Sequence, residues 1–315
     1  GSPGLRSPSM EDIRLTDDYL LRVTDPGEVS GTGFLLTDLS RLYNHVFSKN
    51  PDDIARLARH HATCPGGVRY FFAYQQERLV AFNYFMFADG GGIRYALSGG
   101  SMSDPESRGS FLPLFRYAVD RVLSQVDWII GFCNRNSYRI FCHPVYGWRE
   151  VKDFFQGKLL STKGGPLPTF NYEELRDFSP DEKGGMNLLM DRSVPYLSWR
   201  LSNIPGFRAI RNNISGAVVV LKPYGSDMDL VTLLHGRSHG HYCEELKAVM
   251  QYLAATEPGF TGLNCYLSFP GAEKLLRHDF DVEVNPFERH LCIKGAGNPT
   301  EIPELDVEML DADLF

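Results

Sequence analysis

The chain has 315 residues, 43% of them hydrophobic and 12% aromatic, enough for two packed cores of ordinary size or one large one. Its 32 basic residues against 39 acidic ones give a net charge of −7. With no long basic run, that balance argues against broad nucleic-acid or anionic-membrane binding, since either needs a dense positive face. No apolar run approaches the roughly 18 residues that cross a bilayer, and no signal-peptide-like segment opens the chain.

A cytoplasmic, enzyme-like protein is therefore expected. Six cysteines, Cys64, Cys133, Cys142, Cys243, Cys265 and Cys292, are scattered without a C-x-x-C pair. Mostly apolar neighbours suit buried free thiols in a reducing compartment better than disulfides or a zinc site. Residues 1–9 precede the first methionine, Met10, and read as an expression-vector remnant.

From residue 10 an apolar/charged alternation, Ile13, Leu15, Tyr19, Leu21 and Val23, predicts a lead-in strand that ends in a turn at Asp25-Pro26-Gly27. A helix is expected from a Thr37/Asp38 cap, with Leu39, Leu42, Tyr43, Val46 and Phe47 at helical spacing. Asn50-Pro51-Asp52-Asp53 starts a second helix that stops before Cys64-Pro65-Gly66-Gly67. Val68–Tyr74 and Leu79–Phe87 form a hairpin, and Ile93, Tyr95 and Leu97 begin another strand.

That strand runs into Gly99 and Gly100, then a polar turn through Ser101, Ser103 and Asp104, then Ser107-Arg108-Gly109. Leu112, Leu114, Phe115, Ala118, Val119 and Val122 follow at helical spacing. A strand that feeds a helix through a Gly/Ser turn offers unpaired backbone N–H groups and the positive end of the helix dipole, an arrangement suited to phosphate. Trp128–Phe132 is apolar throughout, as in a strand buried on both faces. Asn134-Arg135-Asn136-Ser137 caps a short helix, Tyr138 to Cys142, and Tyr146-Gly147-Trp148 closes the unit.

Residues 156–190, rich in Gly, Pro and charge, read as a linker between domains at 10–155 and 191–315. Beyond it the pattern recurs: His61–Gly66 is echoed by Leu201–Gly206, 140 residues on. A hairpin (Phe207–Asn212 with Ala217–Lys222), a strand, a helix and the apolar strand Gly262–Leu267 follow, which predicts two related halves. The second half lacks an Arg-Gly turn, so a phosphate ligand is expected in the first. Between its strand and helix lies Leu234-His235-Gly236-Arg237-Ser238-His239-Gly240-His241-Tyr242. Three histidines invite a metal, but the glycines and the missing Cys or carboxylate ligands argue against it. No metal is expected; the segment is a surface loop or places Arg237 against an acceptor phosphate.

Pro105-Glu106-Ser107-Arg108-Gly109-Ser110-Phe111 resembles the pyrophosphate loop of the GCN5-related N-acetyltransferase (GNAT) superfamily, with Phe111 where that family has its second glycine. The element order over residues 35–155 is similar to the GNAT fold, and the repeat is similar to tandem GNAT proteins that acylate nucleotide-linked amino sugars. The resemblance implies a mixed-sheet α/β fold, a tandem GNAT-like architecture with a degenerate second copy that helps form the acceptor site, and acyl-coenzyme A as co-substrate without metal.

It further implies that backbone amides at Gly100, Ser101 and Met102 meet the thioester, and that those of Ser103, Gly109 and Ser110, with the Arg108 side chain, hold the diphosphate. Asn134 and Asn136 are either contacts to the coenzyme arm or a helix cap. The proton for the departing thiolate comes from Tyr138, His143 or neither. His61 is a candidate general base, with His60 and Tyr43 on the acceptor side, although an adjacent histidine pair on a helix points two ways and only one can face a cleft. Two alternatives stay open: a GNAT-like module that binds without catalysis, and a transferase that uses aminoacyl-tRNA for peptidoglycan building.

Overall fold

The computed structural model describes residues 10–178, 190–234, 239–284 and 289–312. Strands β1 (Met10–Arg14) and β2 (Leu20–Thr24) form an antiparallel hairpin, Met10 opposite Thr24. The expected single lead-in strand is folded back on itself because Thr16 Oγ1 accepts the N–H groups of Asp18 and Tyr19 at 3.2 and 3.1 Å and reverses the chain. Asp25 caps a short helix, α1 (Pro26–Gly31), where a turn was expected; a capping Asp followed by Pro is itself a helix start. Helix α2 (Gly33–Phe47) begins a turn earlier than Thr37, whose hydroxyl donates back to the Gly33 carbonyl instead of capping. Helix α3 (Pro51–Ala62) starts at the expected Asn50 cap.

Strands β3 (Val68–Gln75), β4 (Arg78–Gly90) and β5 (Ile93–Ser103) are followed by a 3-10 helix, Pro105–Ser110, and by α4 (Phe111–Leu123). Then come β6 (Trp128–Asn134), α5 (Arg135–Phe141), β7 (Arg149–Glu150), β8 (Phe154–Thr162) and β9 (Tyr172–Glu174). The later chain gives α6 (Val194–Ser202), β10 (Arg208–Asn212), β11 (Val218–Tyr224), β12 (Asp227–Leu234), α7 (His239–Thr256) and β13 (Leu263–Ser268). It ends with α8 (Ala272–Asp279), β14 (Phe280–Val284), β15 (Arg289–Gly295) and a 3-10 turn, Met309–Asp311.

Among the described residues there are two mixed sheets. The first runs β1-β2-β3-β4-β5-β6-β15-β7 and the second β9-β10-β11-β12-β13-β8-β14. The repeat appears as β3-β4-β5-β6 matched by β10-β11-β12-β13. The next place in each sheet is filled by a strand from the other half: Cys292 of β15 sits opposite Glu150 of β7, and Gly157 of β8 opposite Cys265 of β13. The two halves thus exchange one strand each.

This corrects the expected linker. Residues 156–162, placed in it by composition, belong to β8, which buries Phe155 and Leu159 in the second sheet's core. The chain divides into two compact units, Gly1–Ala88 with Arg94–Gly131 and Lys294–Pro299, and Asp89–Ile93 with Phe132–Ile293 and Thr300–Phe315, in place of blocks at 10–155 and 191–315. In the first unit Tyr70, Phe71, Phe72, Phe82 and Phe85 are all but fully buried. The second is built on Leu221, Leu230, Leu246, Leu253 and Leu263.

Candidate functional site

In the first unit β5 pairs parallel with β6 from Tyr95↔Trp128 to Ser98↔Gly131, while β5 itself runs on to Ser103. The two strands stop bonding where the glycines begin. Gly100 has φ +60°, and a Cβ there would lie 2.6 Å from the Tyr84 ring and 2.9 Å from the Tyr43 hydroxyl. A Cβ on Gly99 would meet Tyr84 at 2.5 Å. Only glycine allows both the left-handed backbone and this close approach. The Asn83 amide holds the turn from β4: its Nδ2 donates to the Gly99 carbonyl at 2.9 Å and to Ser101 Oγ at 2.7 Å. Asn83 Oδ1 and Tyr84 Oη are buried there and meet no hydrogen-bond partner among the described residues.

Tyr43, expected on the acceptor side, is therefore brought against Gly100. Met102 is buried, while Ser101 and Ser103 are half-buried. His61 is 1% exposed; its Nδ1 lies 2.8 Å from the Tyr70 hydroxyl and its ring 4.6 Å from that of Tyr84. It is a core histidine behind the glycine turn, closed to a free amine, and so does not fit the role of general base. His60 is half-buried beside it.

The phosphate turn differs from expectation. Asp104, 2% exposed, accepts the Glu106 N–H at 3.0 Å and pairs with Arg78 at 2.6 Å. The Asp104 N–H donates to the Val80 carbonyl at 2.7 Å and the Ser107 N–H to the Asp104 carbonyl at 2.8 Å. These amides are spent inside the protein, and a 3-10 helix turns further ones onto its own carbonyls. The cradle expected over Ser103–Ser110 therefore narrows to the exposed Arg108 and Gly109 and the first turn of α4. The buried Ser110 hydroxyl donates to the Ser107 carbonyl at 2.5 Å, and Phe111 stacks on Phe115.

In the second unit Asn134 Oδ1 accepts the N–H groups of Asn136 and Ser137 at 3.0 and 2.9 Å, so Asn134 is the helix cap of α5. Asn136 is exposed. Tyr138 donates to Glu150 Oε2 at 2.9 Å, and that bond to a carboxylate pushes its phenol up to about 12. The other Glu150 oxygen lies 2.7 Å from Nδ1 of His290, whose ring stacks on Tyr138 at 4.0 Å. His143 is an exposed turn residue whose Nδ1 accepts the Val145 N–H at 3.3 Å. Arg237 lies outside the described residues, and among those described no cluster of His, Cys, Asp and Glu is arranged to hold a metal. No helix among them is long and apolar enough to cross a membrane.

Sequence reasoning missed Asn83, Tyr84, Glu150 and His290. The first two stand in an unbroken buried run, where no periodic signal marks one polar residue. The last two lie on strands 140 residues apart in sequence, joined only by the strand exchange.

No family sequence model matches the chain, and no curated protein sequence matches it. Solved structures do. A GCN5-related N-acetyltransferase from Anabaena variabilis is 9% identical with a TM-score of 0.61, over 88% of this chain and 73% of that one. One from Kribbella flavida is 14% identical with a TM-score of 0.54, over 87% and 71%. A tandem GNAT protein from the clavulanic acid biosynthesis pathway is 13% identical with a TM-score of 0.51, over 93% and 99%. The chain has the fold of a tandem, two-domain GNAT-like protein.

Proposed function

We propose that this protein moves an acyl group from acyl-coenzyme A to the amino group of a small acceptor, with a nucleotide-linked amino sugar as the substrate class to try first. The observation that carries the reading is the parting of β5 from β6 after Ser98↔Gly131, with a glycine turn held in place by Asn83. An extended thioester arm between parted strands can bond to strand amides, and the amides at Gly100–Met102 would then stabilise charge on the thioester oxygen as the amine adds. The amine loses its proton and the sulfur gains one as the C–S bond breaks. Free thiols at all six cysteines suit a cytoplasmic enzyme.

A second reading, a binding module without transferase activity, is favoured by one observation: the buried, paired Asp104 carboxylate occupies the N-terminus of the phosphate turn. Calorimetric titration with acetyl-coenzyme A separates the two. Binding that Arg108→Glu weakens by about tenfold without lowering the melting temperature, together with release of free coenzyme thiol when an amine acceptor is added, supports the transferase, and binding without thiol release supports the module. No heat and no thermal shift at millimolar coenzyme rejects the transferase.

A further inference from the structure

In the second unit β12 and β13 are the counterparts of β5 and β6. They pair parallel only at Met228↔Leu263 and Asp229↔Asn264, after which β12 continues to Leu234 and β13 to Ser268. The space between the parted ends is filled by residues 305–312 of the same chain.

On the β13 side Ser268 and Val307 exchange both backbone hydrogen bonds, 2.9 Å each. On the β12 side a side chain does the bonding. Glu308 Oε1 accepts the Thr232 hydroxyl at 2.6 Å, and Oε2 accepts the Leu233 N–H at 2.6 Å and the Tyr242 hydroxyl at 2.7 Å. The Arg192 guanidinium spans two carboxylates, reaching Glu308 Oε1 at 3.1 Å and Asp311 at 2.7 and 2.8 Å. Asp311 also accepts the Glu308 N–H at 2.8 Å. Arg200 donates to the Leu310 carbonyl at 2.6 and 2.9 Å and to that of Ala312 at 2.9 Å. Every residue from Leu305 to Ala312 is buried, and Glu304 just before them is exposed.

Buried charges of this kind are tolerated only when their hydrogen bonds are met, and loss of one partner is strongly destabilising. Both Glu308 oxygens are fully bonded, so this is a made-to-measure seat for one carboxylate on an extended strand. We infer that the parted ends of β12 and β13 form a strand-accepting groove whose ligand is residues 305–312 of this chain, latched by Arg192. The comparison with a thioester arm rests on the proposed function; the groove and its occupant do not. The same opening that in the first half is offered to an extended acyl carrier is here taken by the protein's own backbone, and the anionic Glu308 excludes a second anionic ligand.

The test uses the full chain and Glu308→Lys. Native-state hydrogen exchange should show Leu233 and Val307 protected in the parent and exchanging roughly a hundredfold faster in the variant, with β10 and β11 unchanged. A labelled peptide with the sequence of residues 305–312 should bind the variant and not the parent. Retained protection in the variant, or no peptide binding by the variant, overturns the inference. If Glu308→Lys does not fold, Val307→Pro, which removes the N–H given to Ser268 together with the buried Val307 side chain, serves for exchange at Leu233 and for peptide binding. Acetyl-coenzyme A is titrated into the parent as well. One site per chain or none agrees with a filled second groove, none also removing the transferase reading, and two sites overturn it.

Discussion

Asn83→Leu separates the job of holding the glycine turn from the job of holding the fold. The substitution keeps volume and removes the two short bonds to the Gly99 carbonyl and Ser101 Oγ, at 2.9 and 2.7 Å, with a long one of 3.4 Å to Ser98 Oγ that shares the same two N–H groups. Each short bond is worth about 1 kcal/mol net, so the loss is about 2 kcal/mol. Against that, the buried Oδ1 meets no partner among the described residues, and its removal returns about 1–3 kcal/mol of desolvation cost. The two nearly cancel, and the melting temperature should move by no more than about 4 °C. The turn, however, loses its anchor to β4. Backbone donors aimed at the thioester oxygen would lose their alignment, so affinity for acetyl-coenzyme A should fall about tenfold or more while that for coenzyme A without an acyl group stays the same. Calorimetry with both ligands checks this. Equal losses for the two ligands, or none, would refute the assignment of the turn to the acyl carbonyl, and a melting temperature lowered by more than about 10 °C would show Asn83 to be a structural keystone instead.

Gly100→Ala combines the left-handed backbone penalty of about 1–2 kcal/mol with overpacking against Tyr84 and Tyr43 of about 1–3 kcal/mol, and denaturant unfolding of the first unit should show a loss of about 2–5 kcal/mol. Cys142 is the one half-buried cysteine, but burial and the Cys292 sulfur 3.6 Å away push its thiol up to about 12 from 9.0. Near pH 8 its thiolate is thus about a thousandfold scarcer than for an ordinary cysteine, and iodoacetamide labelling followed by mass spectrometry should find it slow; rapid labelling would contradict the packing. Glu150→Gln should return Tyr138 from about 12 toward 10.0. Because its folded value is raised, the hydrogen bond's contribution is present below pH 10 and lost as pH rises toward about 12; ultraviolet titration that shows no difference from the parent would mean that the bond does not form in solution.

The helix starts at Asn50 and Asn134, the hairpin of β3 and β4 and the 140-residue repeat were legible in the chain, since capping and alternation act over a few residues, whereas the expected turn at Gly99-Gly100 is a left-handed kink inside β5, which runs on to Ser103. The histidine pair on α3 shows the limit of that reading. Helical spacing tells that His60 and His61 diverge, but not that the inward one meets Tyr70 and Tyr84 in a closed aromatic layer. Asp104 is similar: its cap position is local, while its partner Arg78 comes from the start of β4.

Local patterning therefore determined many of the helices and strands, though not α1 or β8, that the halves are related, and that glycines break the pairing of β5 with β6. Tertiary structure decided which strand sits beside which. β8 and β15 change sheets, Glu150 meets His290, and residues 305–312 lie in the second groove. A strand's alternation states that one face will be buried but is silent on its neighbour, because backbone hydrogen bonds are the same for any partner and only side-chain packing and satisfied buried charges choose between them.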